Sequence, residues 1–164
     1  MGEFSIRPGT LADTETVILH RRAMFLEMGY RDEEAMNTMC EAFRPWLARK
    51  MRDNEYLTWF AVDSAGDIVS GLGLWLMDWP PHMLGPGPWR ANILNVYTRP
   101  ESRRNGLARR LVKTVIDWCR AKGISTVILH ASDAGRPLYA SMGFQPSTEM
   151  RIVLKPDVAP VSAK

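Results

Sequence analysis

The part of this chain best suited to chemistry is a basic turn that opens a long predicted helix. It reads Arg103-Arg104-Asn105-Gly106-Leu107-Ala108-Arg109. The first amide groups of a helix have no partner within the helix and, together with the helix dipole, form an anion site. Gly106 lets the backbone approach an anion closely, and the arginines carry charge suited to phosphate. The turn therefore predicts a phosphate-binding site.

The basic charge of the chain is concentrated around this turn. The net charge is +3, and six of the 21 basic residues lie between Arg99 and Lys113. A local cluster indicates a compact anionic ligand more than a long nucleic-acid footprint. Other phosphate and nucleophile motifs are missing, because the sequence has no Gly-Lys pair and no Gly-x-Ser-x-Gly elbow. Gly71 and Gly73 lie within a predicted strand, which indicates a bulge or a close approach of two backbones.

The elements around the turn predict one domain of mixed α and β structure. The order is β-α-α-β-β-β-α-β-α-β, with antiparallel hairpins first and a βαβ crossover later. Residues 1–155 form the predicted domain and residues 156–164 a tail. Pro45 should kink or split the second helix. The elements nearest the turn are strands at Ala91–Tyr97, Thr126–Ala131 and Glu149–Leu154, a helix at Gly106–Lys122 and a short helix at Arg136–Met142.

Two motifs in these elements resemble the GNAT superfamily of acyl-CoA-dependent N-acyltransferases. The pyrophosphate motif of that family is Gln or Arg, two residues, Gly, one residue, then Gly or Ala, and Arg103 to Ala108 match it. The family also has a strand and a proline before the motif, as at Val96, Tyr97 and Pro100. A later family helix carries Leu-Tyr, three residues, then Gly-Phe, matched by Leu138-Tyr139 and Gly143-Phe144. The resemblance runs from the second strand to Phe144 and covers the first 55 residues only in outline.

The resemblance implies a fold and an activity. The fold is the α/β (α+β) GNAT fold, a mixed and mostly antiparallel central sheet flanked by helices, with two strands splayed apart at the cofactor site. The activity is transfer of an acetyl group from acetyl-CoA, a co-substrate, to a primary amine of a small molecule or peptide by direct attack. From the residues themselves we expect no metal, nucleic acid or membrane to take part, and a homodimer is left open.

The resemblance also implies roles for particular residues. Tyr139 would protonate the departing CoA thiolate, since a tyrosine with a pKa near 10 is a plausible donor to a thiolate whose conjugate acid has a pKa of about 8.5. Many relatives place a glutamate base on the strand before the motif. Here that strand has no acid, and Asn95 could position a water but cannot act as the base. The residues expected to bind CoA are Val96, Tyr97, Thr98, Arg103, Arg104, Asn105, Gly106, Leu107, Ala108, Arg109 and Ser132.

The general base and the acceptor stay open at the level of sequence. Asp78, Glu27 and His82 are candidate bases, and an amine that arrives already neutral would need none. Trp75, Trp79 and Trp89 could wall an acceptor pocket or belong to the core. Two other functions remain as alternatives: a non-catalytic acyl-CoA-binding module, and a small basic nucleic-acid-binding protein, which would lack a helix with base-reading side chains.

Composition and patterning exclude several further classes. Hydrophobic residues make up 46% and charged residues 24% of the 164 residues, as in ordinary globular domains. No apolar run approaches the roughly 18 residues of a membrane helix, and the N-terminus lacks a signal-peptide pattern, so we expect a cytoplasmic protein. Cys40 and Cys119 fall in helical patterns and are expected to be buried, reduced thiols. His20, His82 and His130 lie too far apart to suggest a metal site.

Overall fold

A five-stranded sheet forms the centre of the computed structural model, which describes residues 3–154. Its strands follow chain order, β1-β2-β3-β4-β5. The first three pairings are antiparallel and the last, between β4 and β5, is parallel, which confirms the predicted mixed sheet. The strands are β1 (Ser5–Pro8), β2 (Tyr56–Val62), β3 (Ile68–Asp78), β4 (Trp89–Thr98) and β5 (Val127–Leu129).

Helices cover both faces of this sheet. They are α1 (Thr14–Glu27), α2 (Glu33–Arg52), α3 (Leu107–Ala121) and α4 (Arg136–Ala140). Asp32 caps α2 by accepting the Ala35 N–H at 3.0 Å, as its position before the helical pattern predicts. Of the kink or split expected at Pro45, the split is wrong, because the helix continues through that residue, and the kink stays a prediction. None of the described helices combines the length and the apolar character needed to cross a bilayer.

Two hydrophobic layers hold the helices to the sheet. The α3 layer contains the apolar row that recurs at i, i+4 along this helix, with Leu107, Leu111, Val115 and Cys119 at most 2% exposed. The layer beneath α1 and α2 contains Val17, Ile18, Cys40 and Leu47, together with the rings of Tyr56 and Phe60. Strand residues alternate between the layers because successive side chains of a strand point to opposite faces. Both cysteines are buried and unpaired, as predicted.

The predicted strand at Glu149–Leu154 is absent. Residues 145–154 have no regular structure, and Met150, Ile152 and Leu154 are each at least 80% exposed. Their alternating apolar pattern gives strand propensity, but a strand exists only where its backbone groups pair with a neighbour. β5 spans three residues and β4 is its one partner among residues 3–154, so the sheet ends there.

An ion pair anchors the N-terminal strand to the start of the helical layer. Both Arg7 terminal nitrogens donate to the Asp13 carboxylate, at 2.7 and 3.0 Å, and the Thr10 N–H donates to it at 2.7 Å. The Asp13 carboxylate side chain is 11% exposed. The Arg7 hydrogen bonds are the main cause that lowers the pKa of Asp13 to about 2. The charged form of Asp13 is therefore favoured in the folded chain.

Replacing this carboxylate should lower stability in a pH-dependent way. We expect Asp13→Asn to reduce the free energy of unfolding at pH 7 by about 1–3 kcal/mol, because the partly buried Arg7 and Thr10 donors lose a charged acceptor. A depressed folded pKa stabilises above the unfolded pKa, so the difference from the native chain should be full above about pH 5 and vanish between pH 4 and pH 2. Urea denaturation over this pH range measures it. Glu15→Gln removes the exposed partner of Arg44 and should change little.

Candidate functional site

Strands β4 and β5 separate along their length and leave a gap in the sheet. They pair from Ala91 with Val127 to Ile93 with Leu129. β5 ends there, whereas β4 continues to Thr98. Over that last part, β4 has no strand on its β5 side within residues 3–154. The backbone of Val96, Tyr97 and Thr98, expected to bind CoA, therefore lies along the opening.

The basic turn after β4 is folded by its own backbone and side chains. A 3-10 turn at Pro100–Ser102 begins it. Asn105 Nδ2 donates to the Ser102 and Arg103 carbonyls at 3.1 and 3.2 Å. Arg104 and Gly106 have positive φ angles of 64° and 70°. Asn105 therefore serves to shape the loop, and the loop directs the chain into α3 at Gly106.

The N-terminus of α3 has no side-chain cap. Gly106 is the N-cap residue, no side chain accepts from the first amides, and the first turn contains no acidic residue. A Cβ atom added at Gly106 would meet nothing within 4 Å, so the space in front of the helix is open. The Leu107 side chain is buried, which leaves only its backbone for a ligand, and Ala108 is half-buried. This end of α3 has the form of an anion site.

Two arginines of the motif connect the turn to neighbouring helices. Arg103 donates through Nε to the Thr98 carbonyl at 3.1 Å and forms an ion pair with Glu27 at the end of α1. Arg109 donates through Nη2 to Ser141 Oγ at 2.6 Å, just beyond α4. Arg104 is exposed. The arginines therefore position α1 and α4 around the open helix end as well as supplying charge.

The connection through Arg109 brings α4 and Tyr139 to the same side of the sheet as α3. The Tyr139 ring packs edge-on against Phe144 with centroids 5.9 Å apart and contacts the α3 core layer. Burial raises its pKa, so the hydroxyl stays protonated at neutral pH. Ser132 Oγ accepts the Gly135 N–H at 3.2 Å, which shapes the entry to α4. Ser132 thus has a structural contact in addition to its predicted role.

A bulge in β4 reverses the side-chain alternation at Asn95. The β3–β4 register shifts between Gly71 and Gly73, and Asn95 has a φ of 54°. Leu94 and Asn95 consequently both face the α1–α2 layer, while Ile93 and Val96 face α3. Asparagine is one of the few residues with a side chain that tolerates this left-handed conformation.

The Asn95 side chain links two residues that sequence reasoning did not identify. Its Nδ2 donates to Tyr56 Oη at 2.9 Å, and its Oδ1 accepts from Arg21 Nη1 at 2.8 Å. Asn95 is 5% exposed and Tyr56 is 1% exposed. Burial is the largest effect on the Tyr56 hydroxyl and raises its pKa. The predicted role of Asn95 in holding a water stays a prediction, since its amide here bonds Tyr56 and Arg21.

Gly71 and Gly73 are the sequence feature that could have indicated the cluster around Asn95. A Cβ at Gly73 would lie 1.8 Å from Tyr56 Oη, and one at Gly71 would lie 2.7 Å from the Phe60 ring. The register of the strand pair shifts at these glycines, as a bulge predicts, but the extra residue lies in β4 opposite them. The alternative of two close backbones is wrong, because aromatic side chains from β2 occupy the space. Nothing in the sequence marked Arg21, which lies in an ordinary helical pattern.

The candidate bases are scattered. Glu27 is paired with Arg103, Asp78 lies opposite Trp89 at the far end of β3, and His82 Nδ1 accepts the Leu84 N–H at 3.2 Å in the loop.

His20 is buried beside Tyr97, with ring centroids 5.0 Å apart. Burial, followed by the charge of Arg99, lowers the pKa of His20 to about 4. His20 is therefore neutral at pH 7.

The three tryptophans divide between the two alternatives, a pocket wall and the core. Trp79 and Trp89 line a cavity of about 170 Å³ with His82 at the end of the β3–β4 hairpin. Trp75 instead lies in the α1–α2 layer, edge-on to Trp46 at 5.4 Å. The hairpin end lies several residues along the strands from the bulge.

Comparison with known proteins identifies the family of this chain. The profile of the acetyltransferase (GNAT) family matches residues 20–144. The chain belongs to that family. The predicted fold and the classification as an acetyltransferase are confirmed at this level. GNAT enzymes use acetyl-CoA, and no group of three or more His, Cys, Asp or Glu side chains within residues 3–154 is arranged to hold a metal.

Individual relatives show how far the similarity extends. A GCN5-related N-acetyltransferase from Ralstonia eutropha JMP134 is 37% identical, covering 93% of this chain and 99% of that one, with a TM-score of 0.86. An acetyltransferase from Clostridium acetobutylicum, solved with acetyl-CoA, is 22% identical and covers 92% and 96%, with a TM-score of 0.82. N-acetyltransferase 8 of Homo sapiens is 37% identical over 59 residues, 34% of this chain and only 26% of that protein.

The proposed anion site at the open end of α3 can be tested by measuring acetyl-CoA affinity in two glycine variants. Gly106 and Gly123 both have a φ of 70° with open space around the missing Cβ, and they flank the same helix. Alanine at either position should cost similar backbone strain, of about 1–2 kcal/mol. Only Gly106→Ala should also weaken acetyl-CoA, by about tenfold or more, because its methyl group occupies the approach to the amides. Calorimetry that shows equal affinities for the two variants would contradict this placement.

Proposed function

We propose that this GNAT-family chain transfers the acetyl group of acetyl-CoA to a primary amine of a small molecule or peptide by direct attack. The observation that carries the proposal is the uncapped N-terminus of α3 beside the gap between β4 and β5. The helix end suits a pyrophosphate and the gap suits an extended pantetheine arm. Both lie on the same stretch of chain, from Val96 to Arg109.

The phosphate end would be held by backbone and by charge. The free amides of Leu107, Ala108 and Arg109 are the first of α3, and they face the open space in front of Gly106. Arg104 adds an exposed guanidinium at the same turn. Arg103 contributes less free charge because Glu27 neutralises it, so its main effect is to fix the turn against α1.

The acyl end would lie where β4 bulges. Beyond Ile93 the backbone of β4 has no β5 partner, so its amides and carbonyls along the gap can pair with the pantetheine amides. A backbone N–H near Val96 would polarise the thioester carbonyl and stabilise the oxyanion that forms there. The bulge at Asn95 turns the strand locally and so sets the direction of that N–H.

Acetyl transfer would proceed without a dedicated general base. The amine nitrogen bonds the acetyl carbon, the carbon–sulfur bond breaks, and the electron pair leaves on sulfur. Tyr139 would give its proton to that thiolate and regain one from solvent. The second proton, from the amine, would pass to water, since Glu27, Asp78 and His82 are held elsewhere. Orientation of amine and thioester would then supply most of the acceleration.

The decisive experiment measures release of free CoA thiol from acetyl-CoA over a panel of amines. Thiol release that depends on an added amine, with the acetylated amine identified by mass, supports the proposal. Tight binding of acetyl-CoA without amine-dependent thiol release would replace it with the alternative of a non-catalytic acyl-CoA-binding module.

Tyr139→Phe tests the source of the thiolate proton. The change removes only the hydroxyl, so the ring should keep its packing against Phe144. We expect the single-turnover rate to fall by about tenfold or more while acetyl-CoA affinity changes little, because a general acid typically contributes a hundredfold or more. Tyr30→Phe, which changes an exposed tyrosine beyond α1, is the matched control. An unchanged single-turnover rate would leave the thiolate to be protonated by water.

A second pair of variants separates the backbone role of Asn95 from its side-chain role. Asn95→Gly keeps the positive φ and removes the contacts with Arg21 and Tyr56, whereas Asn95→Ala also strains the bulge. We expect a moderate loss of kcat/KM, about tenfold, in the glycine variant and a larger loss with lower thermal stability in the alanine variant. Complete inactivity of a folded Asn95→Gly chain that still binds acetyl-CoA would show that the side chain takes part in the chemistry.

A further inference from the structure

Arg21 is a half-buried cation without a carboxylate partner. Six arginines of the described residues 3–154 form ion pairs with Asp or Glu, and Arg21 is not among them. Its neighbour Arg22, one residue along α1, pairs with Glu33 at the surface. Burying a charge is costly unless it is paired. An unpaired guanidinium facing the inner side of α1 therefore needs an explanation.

The groups that surround Arg21 orient the guanidinium without neutralising it. The guanidinium carbon, Cζ, lies 5.0 Å from the centroid of the Phe25 ring and 4.6 Å from that of the Phe43 ring. Nε donates to Met39 Sδ at 3.3 Å, a weak acceptor, and Nη1 donates to Asn95 Oδ1 at 2.8 Å. Burial lowers the pKa of Arg21, and an arginine stays charged at neutral pH even so.

Several N–H groups of this side chain remain available. A guanidinium has five donors, and the contacts with Met39 and Asn95 use two of them. Nη2 makes no hydrogen bond within residues 3–154, and it is not fully buried. It therefore keeps contact with solvent. Free donors on adjacent nitrogens are the arrangement that binds a carboxylate through two parallel hydrogen bonds.

The position of Arg21 relates this anion site to the proposed chemistry. Asn95, which it contacts directly, is two residues past Ile93, where β5 stops pairing with β4 and the gap for the pantetheine arm begins. Arg21 lies on the α1–α2 side of the sheet, opposite α3 and its phosphate site. An acceptor that enters from this side reaches Arg21 and the acyl end of the gap together.

Resting on the proposed function, we infer that the amine acceptor is an α-amino acid or a close analogue whose carboxylate binds Arg21. One carbon separates amine from carboxylate in such a molecule, so binding of the carboxylate would place the amine near Asn95. The rings of Phe25 and Phe43 and the Met39 side chain form the surrounding wall, which favours an apolar side chain on the acceptor. Polycationic amines are disfavoured by the charge of Arg21.

This arrangement also accounts for the missing base. In solution the carboxylate of an amino acid stabilises the neighbouring ammonium group. Bound to Arg21, that carboxylate is neutralised, and the nearby positive charge favours the uncharged amine. Proton loss to water becomes easier, and the amine is then the nucleophile. The acceptor itself would therefore supply the anion that Arg21 lacks.

The test compares acceptors that differ only in the carboxylate. Thiol release is measured with acetyl-CoA and L-leucine, L-methionine or L-phenylalanine, each as the free acid, as its amide and as the decarboxylated amine. Spermidine and a lysine-containing peptide are added for comparison. At least one free acid should exceed its amide in kcat/KM by about tenfold or more, because an unfilled charged site penalises the analogue that lacks the group. Equal or better turnover of the amides, or turnover of spermidine or the peptide alone, would overturn the inference and leave the proposed function standing.

Variants at two adjacent arginines assign the effect to a residue. Arg21→Met should abolish the preference for the acid, chiefly by raising the KM of the acid, so that the acid and its amide react with similar kcat/KM. Arg21→Lys should recover part of the preference. Arg22→Met, which removes a surface ion pair with Glu33, should leave the ratio as it is. A preference retained in a folded Arg21→Met chain, judged by circular dichroism, would contradict the assignment.

A binding measurement decides the inference even if no amine releases thiol. That result would reject the proposed function by itself. Calorimetry of N-acetyl-L-leucine, N-acetyl-L-methionine and N-acetyl-L-phenylalanine with the CoA-saturated chain then examines the carboxylate site alone. Binding of one of them that is lost in Arg21→Met and kept in Arg22→Met supports the site, and absence of binding to the native chain overturns it.

Discussion

The left-handed conformation of Asn95 is the constraint on which both sides of the site depend. A regular strand would send Leu94 and Asn95 to opposite faces, whereas the bulge sends both toward α1 and α2. The same distortion lies just past the last β5 pair, where the sheet opens. One backbone irregularity therefore sets the orientation of β4 at the gap and carries the polar cluster with Arg21 and Tyr56.

Polar contacts between helices surround this irregular strand. Arg103 ties the basic turn to Glu27 of α1, and Arg109 ties the start of α3 to Ser141 after α4. Each contact spans more than 30 residues of chain, yet both converge on the open end of α3. The turn is thus held from two directions, which keeps its amides pointed at one place before any ligand arrives, and such preorganisation lowers the cost of binding.

The two hydrophobic layers that flank the sheet differ in polarity. The α3 layer is almost wholly apolar and holds the helix that would bind phosphate. The α1–α2 layer contains the buried side chains of Asn95 and Tyr56 and the half-buried side chain of Arg21. Removing these polar groups from water costs free energy that an apolar core would not lose. Gly71 and Gly73 make this possible, because any side chain there would collide with Phe60 or Tyr56. Buried polar residues are therefore concentrated on the face of the sheet that carries α1 and α2.

The sequence by itself determined the order of the elements along the chain up to α4, the α3 row of apolar residues and the glycine turn that opens α3, because periodicity, capping and glycine placement are local properties. It wrongly predicted a strand at Glu149–Leu154, since propensity cannot say whether a neighbouring strand is there to pair. Only the tertiary structure decided that Arg21, 74 residues before Asn95, meets it across the sheet, or that Glu27 pairs with Arg103. Contacts of that kind follow from how helices pack on a twisted, bulged sheet, and no local pattern encodes them.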